Sequence, residues 1–342
     1  MKATITRDQF DAALVPGFRE ATSSEYRSLD KAWGQTSSTT LDKKGEFLSA
    51  AGMERDCPLC RASREEATLN FIKLGMHIVT CKHCGLTYSR NILRPEFDRQ
   101  LYVHSASQNS YFDLKRNDAY AAIEKIKCQY IVQRIGTYQA PPGQFLDVGA
   151  GAGRLLWAAK QSGWNTFGIE ANAEFAKACH ALQVPVVHGF FPESLPAGQR
   201  YDVITIIDVL EHLSDPVDFL KTSLDWLSES GLVVIQVPNM DSLIVQLEGS
   251  SNTNYCHGHW NHFNTNTLEK LAVEAGLEPL AVETIISEID RIRAFPQDAI
   301  TQKITQYTGL IPPRDFDAEW LHAHGLGYKV LGFFRRKNHV HV

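Results

Sequence analysis

The chain has 342 residues, of which 44% are hydrophobic, and a formal net charge of −5. This length is enough for two packed domains, and the acidic balance argues against a protein that binds nucleic acid. The apolar runs are far shorter than the ~18 residues that cross a bilayer, so we expect no transmembrane helix. The acidic charge gives no attraction to an anionic membrane, so we expect no membrane partner. The first residues lack a signal-peptide pattern, so we expect a cytoplasmic protein.

The first 52 residues show little hydrophobic periodicity. They include the polar stretch 36–40, Thr-Ser-Ser-Thr-Thr, which buries too little area to offset the entropy of ordering it. We therefore expect residues 1–52 to form a partly flexible N-terminal arm.

Two Cys-x-x-Cys pairs dominate residues 53–90. Twenty residues separate Cys57 and Cys60 from Cys81 and Cys84, a spacing typical of a zinc ribbon. Four thiolates around one ion leave no open coordination position, so the pattern predicts structural Zn²⁺ rather than a catalytic metal. A redox dithiol would need only one pair. A region this small lacks a core of its own, and ion binding would supply much of its folding free energy.

Residues 91–140 are predicted to be a linker followed by a capping helix. The helix begins after Asn117 and ends at Gly136. The aromatic side chains of Tyr102, Tyr111 and Phe112 either close a pocket from this side or belong to the core.

From residue 141 to 342, apolar runs alternate with helical patterns, as in a parallel sheet covered by helices on both faces. The predicted strands are 144–148, 165–169, 184–187, 202–207, 232–237, 278–286 and 327–336. The predicted helices are 153–162, 172–182, 215–228 and 266–275, with Gly163 and Gly231 as C-terminal stops. Segments 238–264 and 287–325 do not fit this alternation. Such long connections are usually binding loops or added helices, and we treat 287–325 as an insertion that covers the substrate or forms a homodimer contact.

A strand, a glycine-rich turn and a helix start follow one another around Gly149, Gly151 and Gly153. Glycines let the backbone approach a ligand, and the helix start supplies free amide donors. A dinucleotide fingerprint needs a further glycine where Arg154 stands. Asp147, just before the turn, would repel a pyrophosphate but attract the ammonium group of a cationic ligand. These residues favour a cationic amino acid derivative over NAD.

Three segments in this order resemble class I S-adenosylmethionine (SAM) dependent methyltransferases: FLDVGAGAGRLL (145–156), TFGIEAN (166–172) and YDVITIIDVLEHLSDP (201–216). The resemblance covers about 140–285. It implies an α/β, Rossmann-like fold with a mostly parallel seven-stranded sheet behind the zinc-ribbon-like module, SAM as the cofactor, and methyl transfer as the activity.

The resemblance also implies which residues bind SAM. The glycine turn would line the methionine side, the carboxylate at the end of the second strand would hold the ribose, a Gly-Phe pair would lie by the adenine, and an Asp-Val pair would flank the sulfonium. The full predicted set is Asp147, Gly149, Gly151, Gly153, Glu170, Ala171, Gly189, Phe190, Asp208 and Val209.

The cysteine pairs in front of this fold, together with the DVLEHL segment at 208–213, are similar to a branch of small-molecule methyltransferases that includes sugar and natural-product enzymes. The chain is shorter than the sugar C-methyltransferases that carry a further C-terminal domain. We expect methyl transfer to a hydroxyl of a polar small molecule. The alternatives are C- or N-methylation of a nucleotide-linked sugar, and a SAM-binding scaffold or macromolecule methyltransferase whose zinc module recognises a partner.

Methyl transfer to a hydroxyl needs alignment and removal of a proton. Glu211 and His212 follow the fourth strand of the sheet domain, close to the expected position of the methyl group. Their alternative role is packing and capping. His257, His259 and His262 lie in the loop after the fifth strand, which in an open α/β sheet overhangs the ligand crevice. These five residues are the catalytic candidates.

The same loop allows other interpretations. Cys256 with His257, His259 and His262 would make a second metal site, and ordinary loop histidines are the alternative. The resemblance favours His262 and Phe263 as a conformational anchor. His339 and His341 are interpreted as an ordinary chain end.

Overall fold

The computed structural model of the protein describes residues 4–104 and 106–337, except for the side chains of 36–38, 101–104 and 106. The strands, in chain order, are β1 (Gly52–Glu54), β2 (Ala67–Lys73), β3 (Met76–Cys81), β4 (Thr87–Ser89), β5 (Asn91–Leu93), β6 (Gln144–Val148), β7 (Asn165–Glu170), β8 (Val186–His188), β9 (Tyr201–Ile207), β10 (Leu227–Pro238), β11 (Asn261–His262), β12 (Leu277–Ile285) and β13 (Lys329–Arg336). The helices are α1 (Phe18–Ala21), α2 (Ser23–Ser38), α3 (Pro95–His104), α4 (Ala106–Arg116), α5 (Asp118–Ile135), α6 (Arg154–Gln161), α7 (Ala173–Ala181), α8 (Pro216–Leu224), α9 (Leu243–Glu248), α10 (Thr265–Glu274), α11 (Ile289–Ile292), α12 (Gln297–Thr308) and α13 (Ala318–Ala323).

The central sheet has seven strands in the order β12-β13-β10-β9-β6-β7-β8. The five strands β10, β9, β6, β7 and β8 are parallel to one another. Strand β13 runs antiparallel to both β10 and β12. This confirms the predicted Rossmann-like α/β fold with a mostly parallel seven-stranded sheet. Parallel strands are buried on both faces, which is why their sequences are mostly apolar rather than alternating.

Alternate residues of the central strands enter two different cores. Leu146 and Val233 pack on one face with α8 and α10, whereas Phe145 and Val234 pack on the other with α5 and α6. Helices cover both faces of the sheet. A ligand can therefore approach at the carboxyl ends of the parallel strands, which is where ligands bind in such folds.

The predicted helix 215–228 ends four residues early, at Leu224. The chain turns there and enters β10, which already pairs Leu227 with Tyr201. Gly231 is therefore not a helix stop, and that prediction was wrong. It lies inside β10 next to an irregularity in register, where an added Cβ would come within 2.6 Å of the Leu227 side chain.

The N-terminal residues carry more structure than their composition suggests. Residues 23–38 form α2, which packs against α4. Further upstream, the backbone N–H and carbonyl groups of Ile5 bond the side chain of Gln133, and Phe10 is fully buried against α5. The order of this segment comes from docking on later elements rather than from its own periodicity.

The cysteine module, residues 53–90, contains an antiparallel sheet whose outer strand, β11, comes from the later domain. Its four-stranded sheet has the order β11-β4-β3-β2, and Asn261 of β11 pairs with Tyr88 of β4. Leu86 and Tyr88 are buried in the same core as Leu146 of the central sheet. The module is thus fastened directly to the loop that carries the candidate histidines.

The segment 287–325 forms α11, α12 and α13. Its buried side chains, such as Ile292 and Ile304, pack with Leu243 and Ile244 of α9 in a third core. Among the helices of the described ranges, none is both long enough and apolar enough to cross a bilayer.

Candidate cofactor and acceptor site

The glycine turn connects β6 to α6 in a conformation that glycine permits. Gly149, Gly151 and Gly153 have φ angles of 76°, 51° and 76°. A Cβ on Gly149 would lie 2.7 Å from Val209, but one on Gly151 would meet nothing within 4 Å. The backbone at Gly151 therefore faces open space on the side where a ligand can approach.

The carboxylate of Glu170 lies at the carboxyl end of β7, beside this turn. One oxygen accepts a hydrogen bond from the Gly151 amide and the other from the Asn172 amide, each at 2.7 Å. Burial raises the pKa of Glu170, and the side chain is almost enclosed. A carboxylate has about four acceptor positions. The Ala171 amide also bonds this carboxylate, so at least one acceptor position remains for a ribose hydroxyl.

Asp147, at the end of β6, is 2% exposed. Its carboxyl group accepts a hydrogen bond of 2.6 Å from the Thr205 hydroxyl. Burial, reinforced by the charge of Glu170, raises the pKa of Asp147 to about 7. A cationic group beside this carboxyl would favour its ionised form.

Asp208 follows β9 in a left-handed backbone conformation, with φ of 54°. One carboxylate oxygen accepts from the Lys329 ammonium at 2.9 Å and the other from the Gln236 amide at 3.1 Å. Burial acts to raise the pKa of Asp208, but the charge of Lys329 holds it well below its usual range. The sequence analysis did not identify Lys329, at the start of β13, because this lysine is 121 residues away from Asp208 in the chain.

The predicted adenine-side residues lie next to the end of β7. The Gly189 amide donates to the Glu170 carbonyl at 2.9 Å, and the Ala171 carbonyl accepts from His188 at 3.1 Å. The ring of Phe190 has the guanidinium of Arg99 above it, 4.8 Å from its centroid. All ten predicted cofactor residues therefore lie at or beside the carboxyl ends of β6, β7, β8 and β9, and their individual roles stay predictions.

Helix α4 lies against α7. Tyr111 and Phe112 both contact the ring of Phe175, with ring centroids 6.0 and 5.0 Å apart. The burial of Tyr111 raises its pKa, as does the charge of Asp208, which places this tyrosine near the end of β9. The side chain of Tyr102 lies outside the described part of the chain, as do His339 and His341.

Glu211, His212 and His259 form one cluster, although the histidines come from different loops. The rings of His212 and His259 are 4.8 Å apart at 72°, and one potential ligand atom from each of the three side chains lies within 4.8 Å of the others. Burial and the negative charge of Asp208 raise the pKa of Glu211 to about 8. Burial lowers the pKa of His212 to about 4. At neutral pH the carboxyl is mostly protonated and the imidazole is neutral.

His257 and His262 point to other partners. His257 donates from Nε2 to the Leu74 carbonyl at 2.6 Å, and His262 lies buried on β11 with its ring 4.9 Å from that of Tyr255. Within the described ranges, Cys256, His257 and His262 do not join His259 in a ligand set. The alternative of a second metal site with those four ligands therefore has no support among the described residues, since strand pairing and the bond to Leu74 separate the side chains.

Arg55 of the cysteine module holds this loop in place. Its guanidinium donates to the carbonyls of Ser89, Ser214 and Trp260 at 2.9, 3.0 and 2.6 Å, and to the Asn261 side chain at 2.9 Å. Sequence patterns gave no indication of this role. The buried arginine joins three segments that are distant in sequence.

The four cysteines of the module lie together. The Sγ atoms of Cys57 and Cys84 are 3.5 Å apart, and those of Cys60 and Cys81 are 3.6 Å apart. Tetrahedral Zn–S bonds of about 2.3 Å place sulfur atoms about 3.8 Å apart. The donor set fits a zinc ion with small side-chain adjustments.

Comparisons with known proteins find similarity to methyltransferases. Residues 120–282 match the family model described as a methyltransferase domain. The ubiquinone biosynthesis O-methyltransferase of Serratia proteamaculans is 29% identical over 131 residues, which are 35% of this chain and 52% of that protein. The protein of the same name from Psychrobacter arcticus is 27% identical over 173 residues, 45% of this chain and 67% of that protein. The chain thus spans about half the length of the first relative.

Among solved structures, a SAM-dependent methyltransferase from Thermotoga maritima, described as a possible histamine N-methyltransferase, aligns with 63% of this chain and 89% of its own. The sequence identity is 18% and the TM-score is 0.44.

Proposed function

We propose that this chain is a class I SAM-dependent methyltransferase that methylates a hydroxyl of a polar small molecule, such as a sugar or secondary metabolite. One observation carries the proposal. Glu211 and His212 follow β9, the strand that pairs with β6 beside the cofactor residues of the glycine turn, and His259 joins them from the loop after β10. Two curated relatives are named as O-methyltransferases, which supports a hydroxyl acceptor.

The residues at the ends of the strands fit the cofactor. Asp147 would pair with the ammonium group, Glu170 would accept the ribose hydroxyls, and the open backbone at Gly151 would accommodate the methionine side. Asp208 and Val209 would lie near the sulfonium. When bound, SAM supplies a methyl group on a positively charged sulfur.

The proposed role of the histidine pair is to accept the hydroxyl proton. His212 donates from Nδ1 to the Gly258 carbonyl at 2.7 Å, and His259 donates from Nδ1 to the Asn254 carbonyl at 2.9 Å. A neutral imidazole that donates from Nδ1 carries its lone pair on Nε2. Both residues therefore present a base whose orientation is fixed by the backbone.

Incubation of the purified chain with methyl-labelled SAM and hydroxylated metabolites tests this function. We expect a methyl ether as the product, and we expect His259→Asn to lower kcat by about 10²- to 10⁴-fold. His324→Asn is the matched control, since that ring stacks on Trp320 in the 287–325 segment. Labelling confined to RNA or protein would refute the proposal.

Two other functions have specific support. Carbon or nitrogen methylation of a nucleotide-linked sugar is favoured by the cysteine module, and fragmentation of the product would locate the new methyl group. A SAM-binding scaffold is favoured by the close attachment of the module to β11. That function predicts SAM binding without turnover on any acceptor.

We also propose that the cysteine module binds one structural Zn²⁺. The sulfur separations support this assignment. Metal analysis of the purified chain should give one zinc per chain at the four cysteines, and Cys81→Ser should lose that ion together with most turnover, because β4 of the module carries β11. Cys128→Ser, a buried cysteine of α5, is the control. Full zinc content in Cys81→Ser would contradict the assignment.

Cofactor affinity should depend on pH through Asp147. Its pKa is about 7 without ligand, so pairing with the ammonium group must expel a proton below pH 7. Affinity for S-adenosylhomocysteine should therefore fall as pH falls, by up to about tenfold per pH unit below 7. Calorimetry in buffers of different ionisation enthalpy would show the released proton. Asp147→Asn should remove the proton release, and an unchanged pH profile in that variant would show that another group is responsible.

A further inference from the structure

We propose that Glu211, His212 and His259 bind a divalent transition-metal ion, separate from the ion of the cysteine module. One potential ligand atom from each side chain lies within 4.8 Å of the others. Two ligands that are each about 2.1 Å from an ion lie at most about 4.2 Å apart. Side-chain shifts of less than about 1 Å would therefore complete the set.

The hydrogen bonds of the two histidines are those of metal ligands. Each imidazole donates from Nδ1 to a backbone carbonyl, His212 to Gly258 and His259 to Asn254. Such a bond fixes the ring and leaves Nε2 as the nitrogen that carries the lone pair. The Glu211 carbonyl accepts from the Trp260 amide at 2.7 Å, so the two loops that provide the ligands are tied together.

The Glu211 side chain supplies a second, independent observation. It is 1% exposed, and neither carboxylate oxygen has a hydrogen-bond partner within the part of the chain that the structure describes. Buried polar atoms without partners are costly and rare, and an ion is one of the standard ways to satisfy them. Lys329 also acts electrostatically on Glu211, but Asp208 holds the lysine ammonium at 2.9 Å and offsets its charge.

The donor set indicates the class of metal. Two imidazole nitrogens and one carboxylate suit Zn²⁺, Fe²⁺ or Co²⁺ better than Mg²⁺ or Ca²⁺, which prefer oxygen ligands. Three protein ligands leave a coordination position for an exogenous oxygen. In the loaded protein the ion would lower the pKa of a coordinated acceptor hydroxyl in place of a histidine base. This last role rests on the proposed hydroxyl transfer, whereas metal binding does not.

Titration of the full, metal-stripped chain with Co²⁺ tests the site without any acceptor. We expect two cobalt ions per chain, one with intense thiolate charge-transfer absorption and one with only weak d–d bands. Loss of a residue that only hydrogen-bonds to a metal ligand, without coordinating the ion itself, weakens metal binding about 10- to 100-fold. Glu211→Gln and His259→Asn should therefore weaken the second ion by at least about 100-fold and leave the thiolate-bound ion intact.

His262→Asn is the matched control, since it changes a buried histidine in the same loop outside the cluster, and it should keep both ions. Retained thiolate-bound cobalt and retained binding of S-adenosylhomocysteine would show that each variant is folded. A single cobalt per wild-type chain, or a second cobalt that both cluster variants retain, would overturn the proposal. Two cobalt ions without methyl ether formation would uphold the metal site and refute the hydroxyl transfer.

Discussion

Replacing Glu170 with glutamine is expected to weaken the binding of S-adenosylhomocysteine by about 100-fold, or ~3 kcal/mol. The carboxylate already accepts the amides of Gly151 and Asn172 and offers its remaining positions to the ribose. A glutamine side chain has one oxygen, so it cannot keep these amide bonds and also accept a ribose hydroxyl. Isothermal calorimetry at pH 7.5 would measure the change.

Glu174→Gln is the control for this experiment. Glu174 lies in α7, four residues further on, where it is more than half exposed and pairs with Lys177 at 2.6 Å. We expect unchanged affinity in this variant. If Glu170→Gln binds as tightly as wild type while its melting temperature is unchanged, Glu170 does not hold the ribose.

Arg55→Met should lower the free energy of unfolding by about 3 kcal/mol and reduce turnover. The guanidinium is buried, and burial lowers its pKa to about 10, so it is still charged at neutral pH. Methionine fills a similar volume but leaves the carbonyls of Ser89, Ser214 and Trp260 without this donor. A buried acceptor that loses its partner costs about 1–3 kcal/mol. The Trp260 carbonyl still accepts from the Ser89 amide at 2.8 Å and Ser214 is exposed, so the three losses do not add in full.

Urea denaturation and steady-state kinetics on the same preparation would check this prediction. Arg64→Met is the comparison, because Arg64 belongs to the same module but is 41% exposed and makes only surface ion pairs of 3.6 to 4.0 Å. Its stability should change by less than about 0.5 kcal/mol. Equal effects of the two substitutions would show that Arg55 does not clamp the loop.

The sheet domain was predictable because its strands are buried on both faces. Runs such as Phe145 to Val148 are short, mostly apolar and lie between glycines, and their positions in the structure agree within a few residues. Helix α2 was not predictable in the same way. Its sequence is polar, and its packing against α4, some 70 residues later, stabilises it as a helix. The end of α8 was predicted too late because Gly231 was interpreted as a helix stop. It is a glycine because its backbone lies close to the Leu227 side chain inside β10.

The site divides along the same line. The residues of the glycine turn and Glu170 are local to strand ends, so their position follows from the pattern. The meeting of His212 with His259 depends on a loop that returns 46 residues later to the Gly258 carbonyl, and no local pattern encodes that return. Lys329 and Arg55 were missed for the same reason, because their partners are distant in sequence.

The pairing of β11 with β4 has a consequence for anyone who would engineer this protein. Exchange of acceptor preference between related enzymes is usually attempted by grafting a loop. Here the loop that carries His259 continues into a strand whose neighbour, β4, belongs to the cysteine module. If the loop were transplanted alone, the main-chain groups of β11 would lose their partners on β4, and the loop would lose the surface it packs against. The portable unit is the loop together with the cysteine module, and chimaeras cut between them should fail to fold.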